Sequence, residues 1–193
     1  KQFSYDKVFR TKETDVARKY LVNERRLNAH FVDNLFKKGI VAQGSRYREN
    51  DVMQPNSVIF PWRSVSGEIV GADRQGTQND FVHHEKRGTT KQVIAGSDTT
   101  TGFNVSFGKG DRTLVLFESP IDLLSYAQQN HQDLKANDAT LLSVSGTDAK
   151  RGAKYLNDAI AKNNARFDKI IVAFDNDKAG FKAAEFYDRF QFK

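Results

Sequence analysis

Residues 169–180 read KIIVAFDNDKAG, and the fold turns on how this stretch is read. Ile170–Phe174 is an apolar run of strand length, and it ends in two aspartates one residue apart, Asp175 and Asp177. Such a run, bounded by turn residues, fits a strand buried on both faces. D-N-D-K is also good turn and N-cap chemistry. Taken alone, the pair therefore fits an acidic turn as well as a cation site, and the segments before it decide between them.

Those segments repeat one pattern. TLVLFE (113–118) reads as a strand, PIDLLSYAQQN (120–130) as a helix, ATLLSVSG (139–146) as a strand and AKRGAKYLNDAIAKN (149–163) as a helix. The opening stretch supplies a third strand, and KAGFKAAEFYDRF (178–190) a third helix. Apolar strands alternating with amphipathic helices predict a parallel sheet with helices on both faces and right-handed crossovers. In such sheets functional groups gather just beyond the carboxyl ends of the strands. Glu118, Gly146 and Asp175 each occupy such an end, and Asp122 lies one turn into the helix after Glu118. If the first and third strands are neighbours, four carboxylates meet at one sheet edge. Crowded carboxylates repel, and one tends to take up a proton. A Mg²⁺ ion relieves that conflict, because it prefers oxygen ligands and binds through one or two carboxylates while keeping waters.

The first 110 residues differ in pattern. ETDVARKYLVNERRL (13–27) and NAHFVDNLFKK (28–38) carry apolar residues at helical spacing, with Asn28 as N-cap and Gly39 as terminator. SVIFPWRSVSGEIVGADRQ (57–75) reads as two strands joined at Ser66–Gly67, and KQVIAGS and GFNVSFG add a second β-rich patch. Residues 76–90 read as a polar loop. This is an α+β subdomain, with the boundary placed at 110/111. Residues 1–110 hold 18 Lys and Arg against 12 Asp and Glu, whereas the remainder balances at 12 of each. The whole net charge of +6 thus lies in the first part, as expected for an anionic partner or for a solubilising surface.

Other classes are excluded or left without support. No apolar stretch nears the roughly 20 residues needed to span a bilayer, and no basic-then-apolar leader argues for secretion. Cysteine is absent, which excludes disulfides and cysteine-held zinc and fits a cytoplasmic, reducing compartment. His30, His83, His84 and His131 lack H-E-x-x-H spacing, and His83–His84 reads as polar loop. The chain begins at Lys1 and stops at Lys193, so a piece of a longer protein is expected.

LVLFESPIDLLSYA, LLSVSGT and IIVAFDNDKAG together resemble the three successive motifs of the Toprim domain: a strand ending in Glu, one ending near Gly, and one ending in DxD before Ala-Gly. That domain occurs in bacterial-type primases, type IA and type II topoisomerases and two nuclease families. NSVIFPWRSVSGEIVGADRQG and IAGSDTTTGFNVSFG resemble the basic subdomain preceding Toprim in the bacterial primase core. The combination is most similar to Toprim proteins of plasmids and other mobile elements. The resemblance implies a Rossmann-like Toprim fold over 111–193, truncated at its C-terminus, behind a primase-like subdomain over 1–110. It further implies Glu118 as general acid/base or metal ligand, Asp122 as a supporting acid, and Mg²⁺ or Mn²⁺ at Asp175 and Asp177. Arg74 would face a phosphate, with Arg63, Lys91 and Lys109 as further phosphate-binding candidates, and Gly146 and Gly180 would allow close backbone approach.

Two departures accompany the match. Val93 and Val105 stand near positions where bacterial primases carry lysine, with Lys91 or Lys109 as possible replacements. The acidic motif expected after DxD lies beyond Lys193. The implied activity is primer synthesis on single-stranded DNA from nucleoside triphosphates in plasmid replication or conjugation, with a relaxase or helicase as partner or fused domain. The alternatives are phosphodiester cleavage by the same acids and a non-catalytic DNA-binding module. A topoisomerase would need a catalytic tyrosine, and Tyr126, Tyr155 and Tyr187 read as packing residues on helices.

Overall fold

The computed structural model describes residues 3–7, 10–49, 52–54, 56–79, 81, 88–146, 148–163 and 165–188. His83, His84 and most of the predicted polar loop lie outside the described residues. The chain forms two compact units, one of Lys1–Trp62 with Ile69–Ser97 and one of Arg63–Glu68 with Asp98–Lys193.

In the first unit a 3₁₀ turn (Tyr5–Lys7) precedes β1 (Arg10–Thr11), α1 (Asp15–Lys19), a π-helical turn (Tyr20–Glu24) and α2 (Ala29–Lys37). There follow β2 (Ala42–Gly44), β3 (Tyr47–Glu49), β4 (Val52–Gln54), β5 (Ser57–Arg63), β6 (Ile69–Gly76) and β7 (Lys91–Val93). The helix predicted over 13–27 is thus shorter and looser. The chain widens into the π turn, Leu27 N–H donates to the Leu21 carbonyl at 3.0 Å, and Arg26 turns out at φ 59°. That turn frees Asn28 to cap α2, its side chain accepting from Phe31 N–H at 3.1 Å. Gly39 ends α2 at φ 63°, where a left-handed residue lets Ile40 N–H reach the Leu35 carbonyl.

The sheet of this unit runs β1-β2-β5-β6-β7. Val58, Ile59, Phe60 and Trp62 of β5 are at most 1% exposed, and each such side chain contributes about 1.5–3 kcal/mol by leaving water. Pro61 is tolerated because the pairing of β2 with β5 stops at Ile59. Trp62 Nε1 donates to Asp73 Oδ2 at 2.8 Å, satisfying a buried indole. Gln43 ties α1 to β2, accepting from Ala17 N–H at 2.7 Å and donating to Asp15 Oδ1 at 3.2 Å.

The second unit contains β8 (Asn104–Ser106), β9 (Thr113–Phe117), α3 (Pro120–Gln129), α4 (His131–Ala136), β10 (Ala139–Ser143), α5 (Ala149–Asn163), β11 (Lys169–Ala173) and α6 (Lys178–Asp188). Its sheet runs β11-β9-β10-β8, with β9, β10 and β11 parallel and β8 antiparallel to β10. GFNVSFG thus supplies the edge strand of this sheet, and the units divide at Ser97/Asp98, ahead of the boundary read at 110/111. The short helix α4 was not foreseen; it begins afresh where Asn130 closes α3.

Leu114, Leu116 and Leu142 form one face of the sheet, beneath Tyr155, Leu156 and Ala159 of α5 and Tyr187 of α6. On the other face Phe117 meets Tyr126 of α3, with ring centroids 5.3 Å apart. This is the predicted α/β architecture, a parallel sheet core preceded along the chain by a smaller α+β unit. No helix among the described residues is long and apolar enough to cross a membrane.

Candidate active site at the carboxyl ends of the parallel strands

The register of the sheet brings three motifs to one edge. Phe117 pairs with Ser143 on one side and Ala173 on the other, so β9, β10 and β11 end level with one another. The first and third parallel strands are neighbours, as convergence of the acids requires. Glu118 Oε1 accepts the backbone N–H of Asp175 at 3.0 Å, across 57 residues of sequence. Gly146 N–H donates to the Glu118 carbonyl at 2.8 Å, knitting the middle motif to the first.

Each acid has its own local anchor. Asp177 Oδ1 accepts from Ala179 N–H at 2.9 Å and Gly180 N–H at 2.8 Å, so it caps α6, and its charge faces the positive end of the helix. The turn-and-cap reading of D-N-D-K therefore holds for Asp177, with Oδ2 outside those bonds. Asp175 is exposed, and its carbonyl accepts from Asp177 N–H at 2.8 Å. Ser119 caps α3, accepting from Asp122 N–H at 3.3 Å and donating to Asp122 Oδ2 at 2.6 Å. The cap at this helix start is thus Ser119 and not Glu118, and S-x-x-D is the spacing of a capping box. The structure thus joins Glu118 directly to Asp175, while the Asp122 carboxylate turns to Ser119.

The two glycines act differently. A Cβ on Gly180 would fall on the Asp175 carbonyl oxygen and lie 3.3 Å from Glu118 Oε1, so α6 seats against the strand end only with glycine there. Gly146 has open space but a φ of 115°, which L-residues rarely adopt. Ser145 before it is also left-handed, at φ 55°.

Burial raises the Glu118 carboxyl above its usual range. The Asp175 backbone N–H opposes that shift, and the negative charges of Asp175, Asp177 and Asp122 add to it. A cation at this edge would relieve that repulsion, and the oxygen-only donor set suits a hard divalent ion. Among the described residues no three Asp, Glu or His side chains are already gathered as a metal cage.

The candidate phosphate contacts are dispersed. Arg74, on β6, is only 6% exposed, and Lys91, exposed on β7, sits one residue along the same ladder; both belong to the first unit. In the second unit Arg63 Nη1 donates to the Gly67 carbonyl at 3.0 Å within the β5–β6 turn. Lys109 lies at the amino ends of the strands, its N–H bonded to Asp138 Oδ1 at 2.7 Å, at the opposite end of the sheet from Glu118. Tyr155 and Tyr187 are buried and Tyr126 is half-buried, consistent with packing roles.

Comparison with known proteins agrees with this architecture. Residues 115–189 match the family described as Toprim-like, and residues 19–112 match a family described as a protein of unknown function, DUF3991. The chain is 35% identical over 167 residues to the uncharacterized protein pXO2-78 of Bacillus anthracis, covering 86% of this chain and 44% of that protein. Similar solved structures include the primase fragment of the bacteriophage T7 primase-helicase protein, with a TM-score of 0.50 and 20% identity over 84% of this chain and 56% of that one. The DnaG primase catalytic domain bound to ssDNA superposes with a TM-score of 0.51 and 17% identity, covering 89% of this chain and 57% of that one. The RNA polymerase domain of Mycobacterium tuberculosis primase DnaG gives 0.52 and 17%, covering 94% and 65%. The chain thus spans roughly half to two-thirds of the proteins it matches. Identities at this level establish the fold. Residues 115–189 match the Toprim-like family, and with the preceding region they share the fold of primase catalytic cores.

Proposed function

We propose that this chain is the catalytic part of a primase-type enzyme that joins nucleotides on single-stranded DNA. The observation that carries the reading is the bond from Asp175 N–H to Glu118 Oε1, which sets the acids of two adjacent strand ends side by side. In this reading Glu118, Asp175 and Asp177 hold Mg²⁺ or Mn²⁺, which when bound neutralises charge developing on the transferred phosphoryl group.

The chain's own groups do the rest. Glu118 accepts the proton of the attacking hydroxyl, a role suited to a carboxyl that burial holds above its usual range. Ser119 restrains Asp122 as a nearby negative charge. Gly146 and Gly180 keep the edge free of side chains, so that triphosphate and strand end can approach the backbone. The basic first unit, with Arg74 and Lys91, follows the template, and Arg63 and Lys109 contribute to the field around the second. A cytoplasmic role in replication or transfer of a plasmid, beside a relaxase or helicase, accords with the pXO2 relative.

The test is primer synthesis by the protein on a single-stranded template with nucleoside triphosphates and Mg²⁺ or Mn²⁺. Asp175→Ala should abolish labelled product while leaving the circular dichroism spectrum unchanged. Nicking of labelled DNA without nucleotides would replace this reading with phosphodiester cleavage. Salt-sensitive DNA binding that survives Glu118→Ala, with neither activity, would leave a non-catalytic module.

A further inference from the structure

The first two turns of α6 carry a surface that the acidic site does not use. Lys178, Phe181, Lys182 and Glu185 follow helical spacing, and all four are exposed. Phe181 is 62% exposed, and among the described residues it is the large hydrophobic side chain of the second unit that stands out into water. Its neighbours show that this is no failure of packing. Gly180, Ala183 and Tyr187 fill the buried stripe of the same helix, so Phe181 lies outside a core that is complete without it.

The charge around it also calls for explanation. Cations near a helix start oppose the helix dipole, and no acidic residue occupies the first turn of α6 or of α5. Tyr187, on the third turn of α6, lies over Gly152 of α5 from the buried side of the helix, away from Phe181. The result is a face that begins beside Asp175 and Asp177 and carries Lys178, Phe181 and Lys182 in succession. Glu185 and Asp188 flank it on the last turns of α6.

We infer that this face of α6 binds single-stranded nucleic acid. Phe181 stacks on one base, and Lys178 and Lys182 hold the phosphates on either side. An aromatic platform between cations fits an unpaired strand, because every base has a π-face and every linkage a negative charge. A duplex keeps its bases stacked on one another and offers Phe181 no such surface. The inference rests on the proposed nucleic-acid function and places part of the strand path on the Toprim-like domain itself, one helical turn from the acids.

The experiment uses oligo-dT and two variants of one residue. Trp62 is the chain's single tryptophan and is fully buried, so Phe181→Trp adds one exposed indole as a reporter. Stacking predicts that oligo-dT quenches this new emission and that the variant binds as tightly as the parent. Phe181→Ala should bind roughly 5- to 150-fold more weakly, the span of one lost base–aromatic stack. Lys178→Ala and Lys182→Ala should each reduce the slope of log affinity against log salt by about 0.7. Phe181→Ala binding within twofold of the parent, with unchanged emission from Phe181→Trp when oligo-dT is bound, would overturn the inference. So would a change in self-association, in place of oligonucleotide affinity, on Phe181→Ala. Either result alongside Asp175-dependent primer synthesis sinks this inference alone. Absence of both oligonucleotide binding and synthesis in the parent sinks the proposed function with it.

Discussion

The two ends of the parallel sheet are built from the same strands and handle charge in opposite ways. At the amino ends acids find partners: Arg112 pairs with Asp168, and Asp138 accepts the Lys109 N–H while its carbonyl accepts that of Arg112. At the carboxyl ends the acids are held by neutral groups, Glu118 and Asp177 by backbone N–H groups and Asp122 by the Ser119 hydroxyl. Neighbouring acids help raise the Glu118 carboxyl. Paired charges at one end hold the fold together. Repelling charges at the other cost stability, and a bound cation would use them.

Substitutions at the two ends should therefore separate activity from stability. The largest effect is expected from Glu118→Gln, which can still accept the Asp175 N–H yet removes the base. Primer synthesis should fall by about 10²–10⁴-fold, read as labelled product per minute, with the melting profile preserved. Gly180→Ala attacks the geometry of the same end. Its methyl group must displace the Asp175 carbonyl, so a loss of about 1–3 kcal/mol in urea unfolding is expected, together with lost activity. Gly146→Ala has room for its methyl but not its φ, and about 1–2 kcal/mol is expected. Arg112→Ala at the opposite end should cost less than about 1 kcal/mol, vanish in high salt, and leave synthesis unchanged. If Arg112→Ala impaired synthesis as much as Glu118→Gln, the contrast between the ends would fail.

Much of this contrast was legible in the residues. Strand-length apolar runs announced β9 and β10, which are buried throughout, and also β11, which as the edge strand is only half-buried, against the expectation of burial on both faces. The end-of-strand positions of Glu118, Gly146 and Asp175 followed from that. The neighbour relation of β9 and β11 could only be stated as a condition, since sequence order does not give sheet order. Asp122 was read as part of the cluster because its spacing is right, and nothing in the spacing says that its carboxylate turns to Ser119. The resemblance made Arg74 a phosphate contact, yet its place on a sheltered strand follows from tertiary packing. The break at Arg26 had no helix-breaking residue to announce it. The assignment of GFNVSFG to the second sheet depended on a pairing of β8 with β10 across more than 30 residues.

The most direct test of the acidic edge is calorimetric melting in EDTA and in excess Mg²⁺, with the parent beside Asp175→Asn. Mg²⁺ at ten times its dissociation constant should stabilise the parent by about 1.4 kcal/mol. Asp175→Asn should melt no lower than the parent in EDTA, because one repelling charge is gone, and should gain little from Mg²⁺. Equal Mg²⁺ shifts in both proteins would contradict the account, because the ion would then not be held by the carboxylates that end β9 and β11.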